Sequence, residues 1–175
     1  DVKTRLDSVF NTEPIIGLKE ETKYSDVGLI TLGKVIEKVS GFPLDEFVDS
    51  LVFKPLGMNT TFYNPSPEKF RRIVPTEIAE GYRSGLIHGE VHDENAYSLG
   101  GVTGHAGLFS TAEDLAVFSQ MMLNGGIYDW KRIFKEETVK LFTSKANLVA
   151  GSSRCLRSEE HTSELQSLAY LVCRL

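Results

Sequence analysis

Between residues 26 and 39 apolar side chains recur at Val27, Ile30, Val35, Ile36 and Val39, with Leu29 and Leu32 widening the stripe. That spacing is close to the 3.6-residue period of an amphipathic helix, and Lys34, Glu37 and Lys38 fall on its wet side. The pattern predicts one helix with Asp26 as its N-cap and Ser40-Gly41 as a left-handed stop. Pro43 opens a second helix at its first turn, where a missing N–H costs nothing. Its apolar face is Leu44, Phe47, Val48, Leu51 and Val52, and it stops before Pro55. The run Phe53-Lys54-Pro55-Leu56-Gly57-Met58 then packs a turn against both helices. Ser110-Thr111-Ala112-Glu113 reads as a capping box. The helix it opens runs to Asn124, with Leu115, Phe118, Met121 and Met122 inward, and Gly125-Gly126 ends it. A last short helix is predicted over residues 135–142, burying Val139, Leu141 and Phe142 incompletely.

The remaining stretches carry no such period. Residues 1–23 are mixed and polar, with Pro14 and Gly17 as breakers around Ile15-Ile16, and are expected to form loop. Asn64-Pro65-Ser66-Pro67 is a loop, and residues 68–90 show neither helical period nor strand alternation beyond a few positions. Gly89-Glu90-Val91-His92-Asp93-Glu94-Asn95-Ala96 is dense in donors and acceptors. Glycines at 100, 101, 104 and 107 follow, a permissive backbone suited to tight turns or close approach. There is no internal repeat. Regularity is mainly helical.

Composition narrows the class. The chain has 175 residues, 41% hydrophobic and 25% charged, enough for one ordinary domain or a piece of a larger one. A net charge of −5 argues against nucleic acid or an acidic membrane surface as partner. No apolar run is long enough to cross a bilayer. Residue 1 is Asp rather than Met and no signal peptide follows, so the chain is expected to begin inside a longer protein. Cys155 and Cys173 cannot build a disulfide framework.

The C-terminal residues look foreign. Arg157-Ser158-Glu159-Glu160-His161-Thr162-Ser163-Glu164-Leu165-Gln166 is what AGA-TCG-GAA-GAG-CAC-ACG-TCT-GAA-CTC-CAG, a library adapter oligonucleotide, would encode. Residues 157–175 are therefore read as an adapter-derived tail and residues 1–156 as the native part.

Candidate chemistry begins at Tyr24 and Asp26. A phenol titrates near pH 10, so Tyr24 can serve as a base only beside a cation that favours phenolate. With a serine and a lysine from elsewhere, it could relay the serine proton. Asp26 could anchor that lysine or orient a substrate amide. Equally, the two could be a packed tyrosine and a helix cap. His88, His92, Asp93 and Glu94 suggest a metal by content. An i, i+4 histidine pair needs a helix to face both rings one way, and Gly89 argues against one. A hydrogen-bonded loop anchor is the better account of these residues, with no metal and no cofactor expected.

Two longer sets of residues carry a resemblance. Tyr24-Ser25-Asp26-Val27-Gly28, Leu32-Gly33, Ile36-Glu37-Lys38-Val39-Ser40-Gly41, Pro43-Leu44 and Phe53-Lys54-Pro55-Leu56-Gly57-Met58 with Thr61 resemble the second-motif region of serine β-lactamase-related hydrolases. That family includes class C β-lactamases, penicillin-binding D,D-peptidases and related esterases. The stretch from His88 to Ala96, with Leu99-Gly100-Gly101 and Gly104-His105-Ala106-Gly107-Leu108-Phe109-Ser110-Thr111-Ala112-Glu113-Asp114-Leu115-Ala116, is similar to a narrower branch. Members of that branch often follow a β-N-acetylglucosaminidase-type glycosidase on the same chain.

The resemblance implies an α+β fold of the serine β-lactamase/transpeptidase kind, of which this chain would hold mainly the helical region and loops. It implies a site of three motifs: Ser-x-x-Lys, the Tyr24 motif and a Lys/His-x-Gly strand. Tyr24 and Asp26 would be catalytic, and His92, Asn95, His105 and Gly107 would contribute to substrate binding, with a structural histidine bonded to backbone as the better account of His105. The substrate would be a small-molecule or peptidoglycan-derived acyl compound, handled in the periplasm or outside the cell. The family usually reads Tyr-x-Asn; here Asp26 only accepts hydrogen bonds and would hold a lysine protonated, which argues against β-lactam recognition more than against hydrolysis. Ser66-Pro67-Glu68-Lys69 spells Ser-x-x-Lys but follows the Tyr motif instead of preceding it, and a helix cap with a solvated lysine explains it better. His105-Ala106-Gly107 spells His-x-Gly but belongs to a segment that precedes the third motif. The nucleophile is thus expected to be absent from this chain, and the chain alone inactive. The alternative is a non-catalytic relative that binds peptidoglycan or a protein.

Overall fold

The computed structural model describes residues 1–149 except Leu18, Thr22 and Tyr24. Tyr24, the expected base, and the expected tail at 157–175 with Cys155 and Cys173 lie outside the described residues. The chain divides into two compact units, one of residues 1–13, 25–49 and 60–109, the other of residues 14–24, 50–59 and 110–175.

The first unit begins with α1 (Val2–Phe10), where loop was expected. Its cause is local: Asp1 caps it by accepting from the Thr4 N–H at 2.8 Å, and Val2, Leu6, Val9 and Phe10 line one face at helical spacing. Helix α2 (Asp26–Ser40) matches the predicted span, and its stop is Gly41 at φ 77°, whose N–H reaches the Glu37 carbonyl. The cap is shifted by one residue from the expectation. Ser25 is the N-cap, accepting from Gly28 N–H at 3.2 Å, and Asp26 lies in the first turn instead, where its charge complements the helix dipole.

The expected inward stripe of α2 also divides. Ile30 and Gly33 are buried, while Leu32, Val35 and Val39 are exposed, Val39 by 82%. The reason is a close approach on one side only. A Cβ built on Gly33 would lie 3.1 Å from Gly104 N, and one on Gly104 would lie 2.2 Å from Leu29 O. Two residues without side chains thus let the glycine-rich loop lie directly on the helix backbone. Leu44 closes the same side, its N–H donating to the Glu37 carboxylate at 3.2 Å.

Helix α3 (Leu44–Val48) follows Pro43 as expected, then widens into a π-helical turn at Asp49–Phe53 and continues into α4 (Lys54–Leu56). Pro55 sits inside that last turn rather than ending the helix before it, and Leu51 is exposed rather than inward. The π-turn shifts the side-chain register by one position, which carries Leu51 off the buried face.

Three two-stranded antiparallel ribbons complete the described residues. In the first unit β1 (Phe62–Tyr63) pairs with β4 (Leu108–Phe109), the Phe62 and Phe109 rings stacking at 6.4 Å, and β2 (Glu77–Ala79) pairs with β3 (Gly85–Ile87). A short helix, α5 (Glu94–Ser98), lies between β3 and β4 in sequence. The unit's core is Ile30, Leu44, Ile87, Val91, Ala96 and Leu99.

In the second unit α6 (Ala112–Leu123) is capped by Thr111, whose hydroxyl accepts from Asp114 N–H. The N-cap is therefore Thr111, one residue later than the Ser110 to Glu113 box expected from sequence. Met121 is fully buried on this helix, and β5 (Ile127–Tyr128) pairs with β6 (Lys131–Arg132) just beyond it. Helix α7 (Glu136–Thr143) buries Val139 and exposes Leu141 and Phe142, where partial burial of all three was expected. Among the described residues, no helix is long and apolar enough to cross a membrane.

Candidate active site

The first unit brings Asp26 to the glycine-rich loop. Asp26 stands in the first turn of α2, and Gly104 packs on Leu29 one turn further along, so His105 next to Gly104 arrives beside the Asp26 carboxylate. Asp93, the N-cap of α5, meets them there. One donor atom each from Asp26, Asp93 and His105 lies within 4.8 Å of the other two.

The His105 ring is held at both nitrogens. Nε2 lies 2.9 Å from Asp93 Oδ1, and Nδ1 lies 2.9 Å from Thr103 Oγ1. A carboxylate only accepts, so the hydrogen-bond network assigns a proton to Nε2. Thr103 Oγ1 also lies 2.9 Å from the Ala106 carbonyl, which brings the loop back on itself. The His105 side chain is 2% exposed, and Thr103 is buried with it.

Asp93 is fastened from the other side by the Ala96 N–H, 2.7 Å from the same Oδ1. Burial alone would raise its carboxyl, but the Ala96 N–H and the His105 ring outweigh that and hold it below the usual carboxylate value. By donor type, Asp26, Asp93 and His105 could hold a divalent cation. Such an ion would have to displace the proton that His105 presents to Asp93.

The other expected site residues are placed as follows. His92 is exposed and pairs with Glu77 at 3.0 Å. Asn95 is exposed in the first turn of α5. Gly107 is buried at φ 110°, where a Cβ would lie 2.1 Å from Gly101 O. His88 sits away from His92, its Nε2 between the Phe70 and Ile73 carbonyls at 3.0 and 2.9 Å, which makes it a backbone anchor. Tyr24 lies outside the described residues.

The two sequence decoys separate on geometry. Ser66 starts a 3-10 helix (Pro67–Arg72), and its hydroxyl donates to Glu68. Lys69 Nζ stands 3.6 Å over the Phe62 ring rather than beside Ser66. The hydroxyl therefore faces a carboxylate and the amine an aromatic face. His105-Ala106-Gly107 runs through the loop into the short ribbon β4, and its imidazole is enclosed.

Two residues that sequence reasoning passed over, Thr103 and Arg83, hold the site together with Asp93, which the sequence offered as part of a hydrogen-bonded loop anchor. Asp93 and Thr103 clamp His105. Arg83, with only 9% of its side chain exposed, donates to the Val91 and His92 carbonyls at 2.7 and 3.1 Å, pairs with Glu90 and lies over the Tyr97 ring. The available signal was a capping aspartate twelve residues before a glycine-flanked histidine; Arg83 had none, because it acts on main-chain carbonyls. Asn64 adds a further tie, its amide donating to Gly100 O at 2.9 Å.

Comparison with known proteins adds to this geometry. The family model described as Beta-lactamase matches residues 5–151. A protein of Escherichia coli strain K12 named "Putative D-alanyl-D-alanine carboxypeptidase" is 46% identical over 136 residues, which are 70% of this chain and 31% of that protein. The chain thus spans about a third of the length of the curated relatives it matches. Among solved structures, a "putative beta-lactamase" of Bacteroides dorei superposes at a TM-score of 0.59 and 16% identity, over 82% of this chain and 35% of the other. A penicillin-binding protein homolog of Caulobacter crescentus gives 0.58 at 16% identity, over 83% of this chain and 44% of the other.

Proposed function

The chain belongs to the Beta-lactamase family, and from that premise we propose that it supplies the Tyr-x-Asp segment of a serine hydrolase working through an acyl-enzyme. The observation that carries this reading is the convergence of Asp26, two residues after Tyr24, with Asp93 and His105 at the mouth of α2. An acyl-transfer site needs charged and hydrogen-bonding groups held in place before the substrate arrives, and this cluster is held by interlocked bonds.

In this proposal a serine of a Ser-x-x-Lys motif, outside this chain, attacks the acyl carbonyl. Its proton passes to Tyr24, which the nearby lysine favours as phenolate. The acyl group is then bound to the serine oxygen, the leaving group takes the proton, and water releases the acid. Asp26 holds the lysine charged or orients the substrate amide. His92 and Asn95 are assigned to substrate contact on the ground that both are exposed, and Gly107 lets the loop backbone come close. His105 is enclosed, so its contribution is to the shape of the site rather than to direct contact.

The substrate class is an ester, an amide or a D-amino-acid peptide of the peptidoglycan type, in a periplasmic or secreted protein. The name of the Escherichia coli relative supports the peptide end of that range. A glycosidase domain on the same longer protein fits the branch that His88–Ala116 resembles, and residues 157–175 are left out of the functional part. Ser66 and Lys69 face different partners and do not form a nucleophile pair, which supports the reading that this chain alone forms no acyl-enzyme.

The test is turnover by the longer protein that carries this segment, offered an aryl ester, a D-amino-acid amide and a D-alanyl-D-alanine peptide. Hydrolysis of any one, blocked by a serine-directed phosphonate, supports the proposal. Binding of peptidoglycan fragments without turnover, from a protein lacking Ser-x-x-Lys, would instead establish the non-catalytic alternative.

A further inference from the structure

From the bonds that enclose His105, we infer that Asp93 and His105 are a positioning pair for Asp26, fixing the Asp26 carboxylate from across the glycine-rich loop rather than from its own helix. This rests on the reading of Asp26 as a member of the Tyr-x-Asp motif. Neither residue touches the reacting atoms; both act through Asp26.

The geometry has a fixed end and an adjustable end. Asp93 Oδ1 is fixed by the Ala96 N–H at 2.7 Å, and the His105 ring is fixed by Asp93 and Thr103 at 2.9 Å each. The ring is 2% exposed and cannot turn without breaking both bonds. Asp26 is the adjustable end. One oxygen of its carboxylate lies within 4.8 Å of an Asp93 oxygen, which repels it, and of a ring nitrogen of His105. The two fixed groups thus bound the space that the Asp26 carboxylate can take. The Gly33–Gly104 approach supplies the distance, because any Cβ at Gly104 would lift the loop and its histidine off α2.

A loop anchor with no bearing on Asp26 would use the same Asp93–His105–Thr103 bonds, so the test must read the link to Asp26. On this chain the first readout is the His105 Nε2–H resonance in the unaltered protein. The pair predicts a slowly exchanging proton with nuclear Overhauser contacts to the β-protons of both Asp93 and Asp26. Contacts to Asp93 alone would overturn it.

The second readout is a double-mutant cycle on the folding equilibrium, with Asp26→Asn, His105→Ala and the two combined. The pair predicts that the combined effect departs from the product of the single effects by about threefold or more, and that His105→Gln, which keeps an N–H, restores part of the loss. Effects that multiply within about twofold would overturn it. Asn64→Ala is the control. It loosens the same loop through Gly100 and should multiply with Asp26→Asn.

In the longer protein the pair predicts a kcat about tenfold lower for His105→Ala with KM within about twofold. A kcat equal to the unaltered protein's would overturn the pair. Absence of all turnover in the unaltered protein would remove the proposed activity and leave the resonance and the cycle to decide the positioning pair.

Discussion

At Asp93 one oxygen closes two structures at once: it caps α5 through the Ala96 N–H and orients the His105 ring. Both bonds favour the ionised form and together exceed the opposing effect of burial, so the folded carboxyl titrates below its ordinary value of 3.8. The sign follows directly. A lowered folded value contributes stability that is present above the ordinary value and is lost as pH falls through the folded one. Denaturation of this chain should therefore steepen in acid below about pH 4, and Asp93→Asn should flatten that limb while keeping a good cap. A urea midpoint series from pH 6 to pH 2.5 on both proteins checks this; parallel curves would contradict it. At the same scale, Gly104→Ala would place a methyl 2.2 Å from the Leu29 carbonyl, a backbone atom that cannot yield cheaply. A loss of about 1–3 kcal/mol is expected, read as a drop in urea midpoint.

Elements follow the same rule of local cause modified by neighbours. The span and left-handed stop of α2 were legible in the sequence because a 3.6-residue period and Ser40-Gly41 act over a few positions. Its exact cap was not, since Ser25 and Asp26 are both good caps and only backbone geometry chooses between them. The start of α1 was missed although Val2, Leu6, Val9 and Phe10 stand at helical spacing, because the polar residues between them and the breakers at Pro14 and Gly17 were read as loop. The division of the α2 stripe was equally invisible, because it depends on Gly104 arriving from seventy residues away in sequence. In the same way Asp93 was legible as part of a hydrogen-bonded loop anchor, whereas Thr103 acts through His105 and leaves no local period. On α6 the burial of Met121 was read correctly, and it gives the strongest test at this scale. Met121→Ala leaves a cavity at a fully buried position, so a loss of about 2–5 kcal/mol is expected in chemical denaturation. A loss below about 0.5 kcal/mol would show that the site is not packed as described.

For the whole molecule, the comparisons and the exposed surface agree on scale. The chain covers 31% of the Escherichia coli relative, and α2 exposes Leu32, Val35 and Val39 on one face, with Phe42 just beyond its end. Contiguous exposed apolar groups of this kind bind hydrophobic dyes and promote association. The chain alone should bind anilinonaphthalene sulfonate, and Val35→Lys with Val39→Lys should reduce that signal; an unchanged signal would place the exposed surface elsewhere.

The account's central claim is that Tyr24 and Asp26 belong to a serine acyl-transfer site whose nucleophile lies outside this chain. Fluorophosphonate labelling followed by intact-mass measurement tests it most directly, on the longer protein, its Tyr24→Phe variant and this chain. The account predicts one label on a Ser-x-x-Lys serine of the longer protein. It predicts labelling at least about a hundredfold slower without the Tyr24 hydroxyl, and no label on this chain. A labelled serine within residues 1–149, or a Tyr24→Phe variant that labels at the unaltered rate, would contradict it.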